Sequence, residues 1–214
     1  MNLTVLSVAY PLAPVGPDAV GGAEQVLTQL DRALVEAGCR SIVVAQEGSR
    51  TAGTLVAVPR EAGPLDEAAK GRAWARHRRA IAVALERWPV DLVQLHGIDF
   101  HAYLPPPGAP ALATLHLPPS WYPGTSLRPA RPGTWLHCVS QAQHDACPPS
   151  PNLLPPIPNG VPVAALRARH AKRRFALMLG RICPEKGVHL AVEAARRADI
   201  PLLIAGEVFA YEAH

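Results

Sequence analysis

Long hydrophobic runs and paired cysteines are both missing from this sequence. No uninterrupted apolar run reaches the roughly 18 residues that a membrane-spanning helix needs. The N-terminus enters an apolar run without a basic segment or a cleavage-site pattern, so we expect no signal peptide and a cytoplasmic location. The four cysteines are widely spaced, which argues against a structural metal or a disulfide framework: Cys39, Cys138, Cys147 and Cys183.

Aromatic residues and excess charge are also scarce. Aromatic side chains make up 5% of the chain and the formal net charge is +4, so little favours a nucleic-acid partner. Much of the positive charge falls on one predicted helix, at Arg72, Arg76, Arg78 and Arg79. Two interpretations stay open: a solvated helix face, or a patch that meets an anionic lipid or polymer acceptor. The second would bring the protein into peripheral contact with a membrane.

Short apolar runs alternate with helical periodicity along the chain, and 49% of the residues are hydrophobic. This alternation predicts an α/β fold, a Rossmann-like parallel sheet covered by helices. The predicted strands are Leu3–Ala9, Ser41–Ala45, Thr54–Val58, Asp91–Leu95, Ala111–Leu115, Trp135–Val139, Leu153–Ile157, Phe175–Leu179 and Leu202–Ala205. The predicted helices are Gly22–Ala37, Asp66–Arg87 and Glu185–Ala198.

A proline-rich stretch, 148–162, has the composition of a connector between domains. We therefore expect a first Rossmann-like domain over 1–165 and the opening β-α-β of a second one over 166–214. The segment from Phe175 to His214 is too short for a second domain of about 100–150 residues. The sequence therefore predicts that the chain stops within that domain.

Paired glycines, Gly21 and Gly22, stand between the first strand and the first helix. Glycines let a backbone approach a ligand closely, and a helix N-terminus offers N–H groups to a phosphate. The pattern is not G-x-G-x-x-G, so a nicotinamide cofactor has no support. A tight turn without a ligand explains the pair equally well.

Two histidines follow neighbouring strands, His96 after Asp91–Leu95 and His116 after Ala111–Leu115. Ligands of open parallel sheets bind beyond the carboxyl ends of the strands. We therefore expect both imidazoles in one cleft together with Gly21 and Gly22. A purely structural role for either histidine is the alternative.

Two cations, Arg181 and Lys186, lie on a loop between a later strand and helix. Arginine binds phosphate bidentately, and lysine binds it as a point charge. Together they predict a diphosphate site, in which they would stabilise a departing diphosphate. Two surface cations near a turn are the alternative.

These segments, in this order, resemble family 4 retaining glycosyltransferases of the GT-B fold, which has two Rossmann-like domains. The residues that carry the resemblance span nearly the entire chain: Gly21-Gly22-Ala23-Glu24, Asp91-Leu92-Val93-Gln94-Leu95-His96, Thr114-Leu115-His116, Val139-Ser140, Ile157-Pro158-Asn159-Gly160-Val161, Gly180-Arg181, Glu185-Lys186-Gly187 and Leu203-Ile204-Ala205-Gly206. Pro162 departs from the family, which usually has aspartate there. The family's E-x7-E signature belongs to a later part of the donor domain and is absent because the chain ends first; the same spacing of Glu185 and Glu193 is taken as chance.

The resemblance implies transfer of a sugar from a nucleotide-diphosphate donor to an acceptor hydroxyl, with retention of configuration and without a metal or cofactor. It assigns the donor diphosphate to Arg181, Lys186, Gly21 and Gly22, and the catalytic role near the transferred sugar to His116. Contact with the acceptor or the sugar is expected of His96 and Asn159.

The acceptor would be a sugar, lipid or polymer, and the oligomeric state stays open. The resemblance also implies that the 214 residues alone bind the donor poorly and are inactive, whereas the full-length enzyme is active. The rival hypothesis is a non-catalytic Rossmann-like module that binds a sugar or a partner.

Overall fold

The computed structural model describes residues 3–167 and 170–208. Contacts divide the chain into two compact units, 1–162 and 163–214. The first contains a six-stranded sheet made of β1 (Thr4–Val8), β2 (Arg40–Gln46), β3 (Thr54–Val58), β4 (Leu92–Leu95), β5 (Ala111–Leu115) and β6 (Thr134–Cys138). Its α-helices are α1 (Gly22–Glu36), α2 (Glu67–Arg87) and α3 (Gln141–Asp145), with short 3-10 turns at Phe100–Ala102 and Pro119–Trp121. The assignment of domains to 1–165 and 166–214 stays a prediction, and 209–214 lie outside the described residues.

Every pairing between neighbouring strands of this sheet is parallel, in the order β3-β2-β1-β4-β5-β6. This is the Rossmann order, and it confirms the predicted α/β class and parallel sheet. The chain runs outward from β1 through β2 to β3 and then returns to the other side of β1 at β4. The order therefore reverses between β1 and β4, the point at which such sheets bind their ligands.

The two faces of the sheet are covered by different helices. Leu27 of α1 packs with Val43 and Ala45 of β2 on one face. On the other face, Ile81 and Ala84 of α2 pack with a larger cluster that draws on β1, β2, β4, β5 and β6. Strands buried on both sides explain the nearly continuous apolar runs of the sequence, and the expected helices on both faces are present.

The predicted strand Leu153–Ile157 is wrong. Leu153 forms an isolated parallel bridge to Leu136, and only single hydrogen bonds join this segment to β6: Leu154 N–H donates to Leu136 O at 2.8 Å and Ile157 N–H to Cys138 O at 2.9 Å. Pro155 and Pro156 lie between these two donors and have no N–H of their own. A regular ladder therefore cannot form.

The arginine-rich helix α2 is not simply a solvated face. The carboxylate of Glu61, whose side chain is 4% exposed, accepts hydrogen bonds from Arg72 Nη2 at 3.0 Å and from Arg76 Nη1. Arg78 Nη1 donates to the backbone oxygen of Ala102. Part of the positive charge is thus used to anchor the loop before α2. Arg79 stays exposed.

One histidine in the core gives unit 1 a predictable sensitivity to acid. His77 in α2 is fully buried, and its Nδ1–H donates to Ala73 O at 3.3 Å. Burial lowers its pKa from 6.5 to about 4, because the charged ring loses its hydration. Between these two pH values the unfolded chain binds more protons than the folded chain. The free energy of unfolding therefore falls as the pH drops from 6.5 towards 4.

Between pH 7 and pH 4.5, we expect the free energy of unfolding of His77→Phe to fall by about 2 kcal/mol less than that of the wild-type protein. Urea unfolding at both pH values measures this loss. Phenylalanine keeps a ring beside Tyr103, whose centroid lies 5.6 Å from that of His77, but cannot take up a proton. Equal losses in the variant and the wild type would contradict the assignment of the acid sensitivity to His77.

The second unit contains β7 (Ala176–Leu179) and β8 (Leu202–Ala205), which pair in parallel, and helices α4 (Val163–Leu166) and α5 (Val188–Ala198). The predicted helix 185–198 is interrupted. Pro184–Lys186 forms a 3-10 turn, and Gly187 has a left-handed φ of 65° that separates it from α5. None of the helices within 3–167 and 170–208 combines the length and the hydropathy that a membrane-spanning segment requires.

Candidate active site

The candidate site is the carboxyl edge of the six-stranded sheet, where the chain leaves β4 and β5. His96 follows the last residue of β4, and His116 follows the last residue of β5. The two strands are neighbours and run in parallel, with Leu95 paired to Ala113. Adjacent parallel strands place both histidines at the same edge.

The two rings are in direct contact. His96 Nδ1 lies 3.0 Å from His116 Nε2, a hydrogen-bond distance, and the rings stack with centroids 5.3 Å apart and planes at 24°. His96 is 3% exposed, whereas His116 is half-buried. The structure thus brings the two predicted residues together, with the ring of His116 the more accessible one. Their roles towards a sugar stay predictions.

A third histidine at this edge was not predicted. His137 on β6 pairs in register with Thr114 on β5, and its Nε2 lies 2.8 Å from Thr114 Oγ1. Its Nδ1 contacts the carbonyl oxygen of Cys138 at 3.3 Å, and a carbonyl only accepts, so Nδ1 carries the proton. A neutral His137 therefore accepts from the Thr114 hydroxyl, which in turn accepts from Gln94 Nε2 at 3.4 Å.

All three rings of this histidine cluster (His96, His116, His137) are held in the neutral form. Burial, and after it the neighbouring His137, lowers the pKa of His116 to about 4. Burial drives the pKa of His96 well below 6.5, with His116 and His137 contributing in the same direction. The pKa of His137 is also lowered by burial. Neutral imidazoles act here as hydrogen-bonding groups and not as cations.

The backbone around His116 is fixed by two side chains that the sequence did not single out. The hydroxyl of Tyr122 accepts from His116 N–H at 3.0 Å and from Leu117 N–H at 3.3 Å. Gln143 of α3 donates from Nε2 to Leu115 O at 2.8 Å and to Leu117 O at 2.6 Å. A proline-rich loop and a five-residue helix thus aim the His116 ring. No periodicity in the sequence marks either residue.

Glycine at position 21, at the start of α1, can be explained without a ligand. A side chain on Gly21 would place its Cβ 1.8 Å from Glu24 Oε2, so the carboxylate of Glu24 folds over this residue. Glu24 is 8% exposed, and burial raises its pKa. A Cβ on Gly22, in contrast, would meet nothing within 4 Å. Only Gly22 is therefore left open towards a ligand by the fold itself.

Two acids, the buried Glu24 and the half-buried Asp99, lie at the glycine turn and in the loop after His96. Asp99 accepts from Trp74 Nε1 and from the Tyr103 hydroxyl, the latter at 2.8 Å, and burial raises the pKa of its carboxyl. The pKa of Tyr10, in the loop after β1, is raised by burial and then by the nearby charges of Asp99 and Glu24. The loops after β1 and β4 and the first turn of α1 therefore meet at the switch point.

Gly22→Ala separates a ligand role from a structural role of the glycine turn. With open space around its Cβ, alanine at this position is expected to leave the melting temperature within about 2 °C of wild type. If Gly22 lines the donor diphosphate, the added methyl group should weaken nucleotide-sugar binding about tenfold. Calorimetric titration and thermal unfolding of the active protein measure both.

Gly21→Ala is the matched comparison, because there the Glu24 carboxylate must move to make room. We expect it to lower the melting temperature while Gly22→Ala does not. Unchanged affinity in a folded Gly22→Ala variant would remove Gly22 from the donor site.

The remaining predicted residues lie elsewhere in the chain. Asn159 is exposed in the proline-rich stretch, and its side chain forms no hydrogen bond within the described residues. Arg181 follows β7, and Lys186 ends the 3-10 turn before Gly187; both are exposed. A Cβ on Gly206, after β8, would lie 1.8 Å from the carbonyl oxygen of Gly180, so the strand ends of unit 2 approach closely. The roles of all three side chains stay predictions.

Across 3–167 and 170–208, no group of three or more histidine, cysteine or acidic side chains is arranged to hold a metal ion. No curated protein sequence matches the chain significantly. Among solved structures, the chain is similar to the catalytic domain of starch synthase IV from Arabidopsis thaliana, bound to ADP and acarbose. That match has a TM-score of 0.60 and 14% identity, and it covers 98% of this chain and 69% of the other. It supports the GT-B fold.

Residues 20–164 match the family model of glycosyltransferase family 4, which accounts for most of the chain, including β2 to β6 and the histidine cluster. The match thus covers the sheet edge on which the candidate site lies. The chain belongs to glycosyltransferase family 4.

Proposed function

We propose that this chain takes part in the transfer of a sugar from a nucleotide-diphosphate donor to an acceptor hydroxyl, with retention at the anomeric carbon. The observation that carries the proposal is the position of His116. Its ring stands at the carboxyl edge of a family 4 sheet, beside the switch point, and its backbone is held by Tyr122. Nδ1 of the ring forms no hydrogen bond within the described residues and is left for a ligand.

The proposed roles follow the charges of the side chains: cations bind the diphosphate, and neutral groups contact the sugar or the acceptor. Arg181 and Lys186 hold the donor diphosphate, with Gly21 and Gly22 near its phosphates. His116 contacts the transferred sugar, and Asn159 contacts the sugar or the acceptor. The negative charge on the diphosphate grows as the glycosidic bond breaks, so two cations stabilise the transition state more than the ground state.

Retention is explained without a protein base at the acceptor. The oxygen of the leaving phosphate lies on the face of the sugar from which the donor departs, and it can take the proton of the acceptor hydroxyl attacking from that side. No pair of carboxylates at glycosidase spacing is then required. The reaction also needs no metal, because the two cations supply the positive charge.

The structural neighbour supports the substrate class. The starch synthase domain of the same fold is described with ADP and with acarbose. We propose by analogy that the donor here is a nucleotide sugar and that the acceptor is a sugar, or a lipid or polymer that carries one. Contact of the protein with a membrane would follow from a lipid acceptor.

A panel of ADP-, UDP- and GDP-sugars tests the proposal. The purified chain, and a longer product of its reading frame, are incubated with each donor and a mixed set of acceptors, and released nucleoside diphosphate is measured. The anomeric configuration of the product, read by proton NMR, tests retention. The low activity that we expect of the 214 residues alone is tested by comparing the two proteins. Binding of a sugar without release of nucleoside diphosphate by either protein would favour the non-catalytic module.

A further inference from the structure

The buried Nε2 of His96 limits where the ring of the neighbouring His116 can carry its proton. His96 Nε2 is inaccessible to solvent and has no hydrogen-bond partner within 3–167 and 170–208. The other nitrogen of this ring, Nδ1, makes the 3.0 Å contact with His116 Nε2. The protonation of the two rings is therefore linked, because one nitrogen of this contact must donate and the other accept.

Only two neutral arrangements satisfy the contact. In the first, His116 Nε2–H donates to His96 Nδ1, and the proton of His96 must then sit on its buried Nε2. In the second, His96 Nδ1–H donates to His116 Nε2, and the buried Nε2 of His96 carries only a lone pair. Buried donors without an acceptor are rarer in proteins than acceptors without a donor. The second arrangement is thus the favoured one.

We propose that His96 is a positioning residue that keeps the proton of His116 on Nδ1, so that His116 meets its ligand as a hydrogen-bond donor. In this arrangement His116 Nε2 is occupied as an acceptor, and Nδ1–H is the group left for a ligand. This inference rests on the proposed function in one respect, that the ligand is the transferred sugar.

The surroundings of the pair support this assignment. A charged ring would remove the choice between the two arrangements, but burial keeps both rings neutral near pH 7 by lowering the pKa of each. The titratable neighbour that affects the pKa of both rings is His137, whose proton is fixed on Nδ1 by the carbonyl of Cys138. Among the described residues no carboxylate is hydrogen-bonded to the ring of His96 or His116, so no acid there competes for the proton.

The chemical consequence concerns the acceptor hydroxyl. A histidine with its proton on Nδ1 and its Nε2 engaged has no free lone pair for a base. His116 therefore binds an oxygen of the transferred sugar, and the proton of the acceptor hydroxyl goes to the leaving phosphate. His96 does not touch the sugar in this scheme, which replaces the direct contact expected from the sequence.

Histidine ring NMR tests the proposal without any substrate. Long-range ¹⁵N–¹H spectra of the labelled chain at pH 7 distinguish protonated from unprotonated ring nitrogens. We expect His96 and His116 both to carry the proton on Nδ1. A wild-type His116 protonated on Nε2 would overturn the proposal.

Two variants, His96→Asn and His96→Leu, carry side chains of nearly equal shape. They therefore distinguish a positioning role of His96 from a packing role. In His96→Asn the side-chain amide can still donate to His116 Nε2, so His116 should keep Nδ1–H. His96→Leu removes the donor, and the signal of His116 should shift towards the Nε2–H form. His137, which stays protonated on Nδ1 in every variant, reports that the sheet edge is intact. An unchanged His116 in a folded His96→Leu variant would overturn the proposal, and the wild type and His96→Asn decide it if His96→Leu does not fold.

Kinetics of the active protein separate this inference from the proposed function. His96→Asn should keep kcat/KM for the nucleotide sugar within about twofold, and His96→Leu should lose about tenfold, the equivalent of one hydrogen bond. Absence of transfer with the expected tautomers would refute the proposed function and leave the positioning role intact. Transfer together with the opposite tautomer would refute the positioning role alone.

Discussion

Lys186→Ala and Arg181→Ala are each expected to lower kcat for sugar transfer by about 10²–10³-fold in the active protein. Both cations are proposed to face a diphosphate whose charge increases as the glycosidic bond breaks. Loss of an interaction that strengthens in the transition state lowers kcat together with kcat/KM. The exposure of Lys186, at the end of a 3-10 turn and before the left-handed Gly187, fits a role towards a ligand.

Steady-state kinetics with the preferred nucleotide sugar measure this effect. Lys186→Arg should restore activity only in part, because a planar guanidinium does not replace a compact ammonium. Arg79→Ala is the matched control, since Arg79 is an exposed cation on α2 to which no role in the reaction is assigned. If both alanine variants kept near-normal kcat, the diphosphate site would have to lie elsewhere.

Asp31→Ala is expected to lower the free energy of unfolding of unit 1 by about 3 kcal/mol or more. Asp31 in α1 is 1% exposed. Its carboxylate accepts from Ser41 Oγ at 2.6 Å, from Ala52 N–H at 2.6 Å and from Gly53 N–H at 3.1 Å. It thereby ties α1 to β2 and to the turn before β3. Alanine would leave two backbone donors and a hydroxyl without this acceptor.

Urea unfolding measures the loss, and Asp31→Asn, which keeps one acceptor oxygen, should lose less. Gly53→Ala should be comparably damaging, because its Cβ would lie 2.3 Å from the backbone oxygen of Ser41 and 2.9 Å from Asp31 Oδ1. Gly71→Ala is the control: it lies in α2 with open space around the new methyl group, and it should stabilise by about 0.5–1 kcal/mol. A stable Asp31→Ala variant would show that the buried carboxylate is dispensable.

Periodicity predicted the framework of this fold well, because strands buried on both faces leave continuous apolar runs. Thr54–Val58 and Ala111–Leu115 match the predicted bounds, and Asp66 caps α2 by accepting from Ala69 N–H at 2.8 Å. The segment Leu153–Ile157 failed because its apolar composition outweighed its prolines in the prediction. The predicted helix 185–198 was wrong at its start, because the break at Gly187 has no periodic signature in the sequence.

Two of the three histidines of the cluster could be inferred from the sequence. The rule that parallel strands end at one edge was enough to place His96 beside His116. His137 was passed over because it lies within β6, and only the register with Thr114 brings it to the other rings. The burial of Glu61 beneath two arginines, and of Asp31 in a helix that looks amphipathic, depends on contacts distant in sequence. Local patterns do not contain such contacts.

The prolines beside β6 have a consequence for the behaviour of the protein at high concentration. An outer strand offers unpaired N–H and C=O groups to any other extended chain, which makes it a starting point for aggregation. Here residues 152–157 already occupy part of that side: Leu136 N–H donates to Asn152 O at 2.9 Å, and Leu154 and Ile157 donate to β6. Pro155 and Pro156 in this segment have no N–H to offer the next chain. This side of β6 is thus a poor template for a further strand, and the same prolines that prevented a seventh strand oppose the edge-to-edge joining of two molecules.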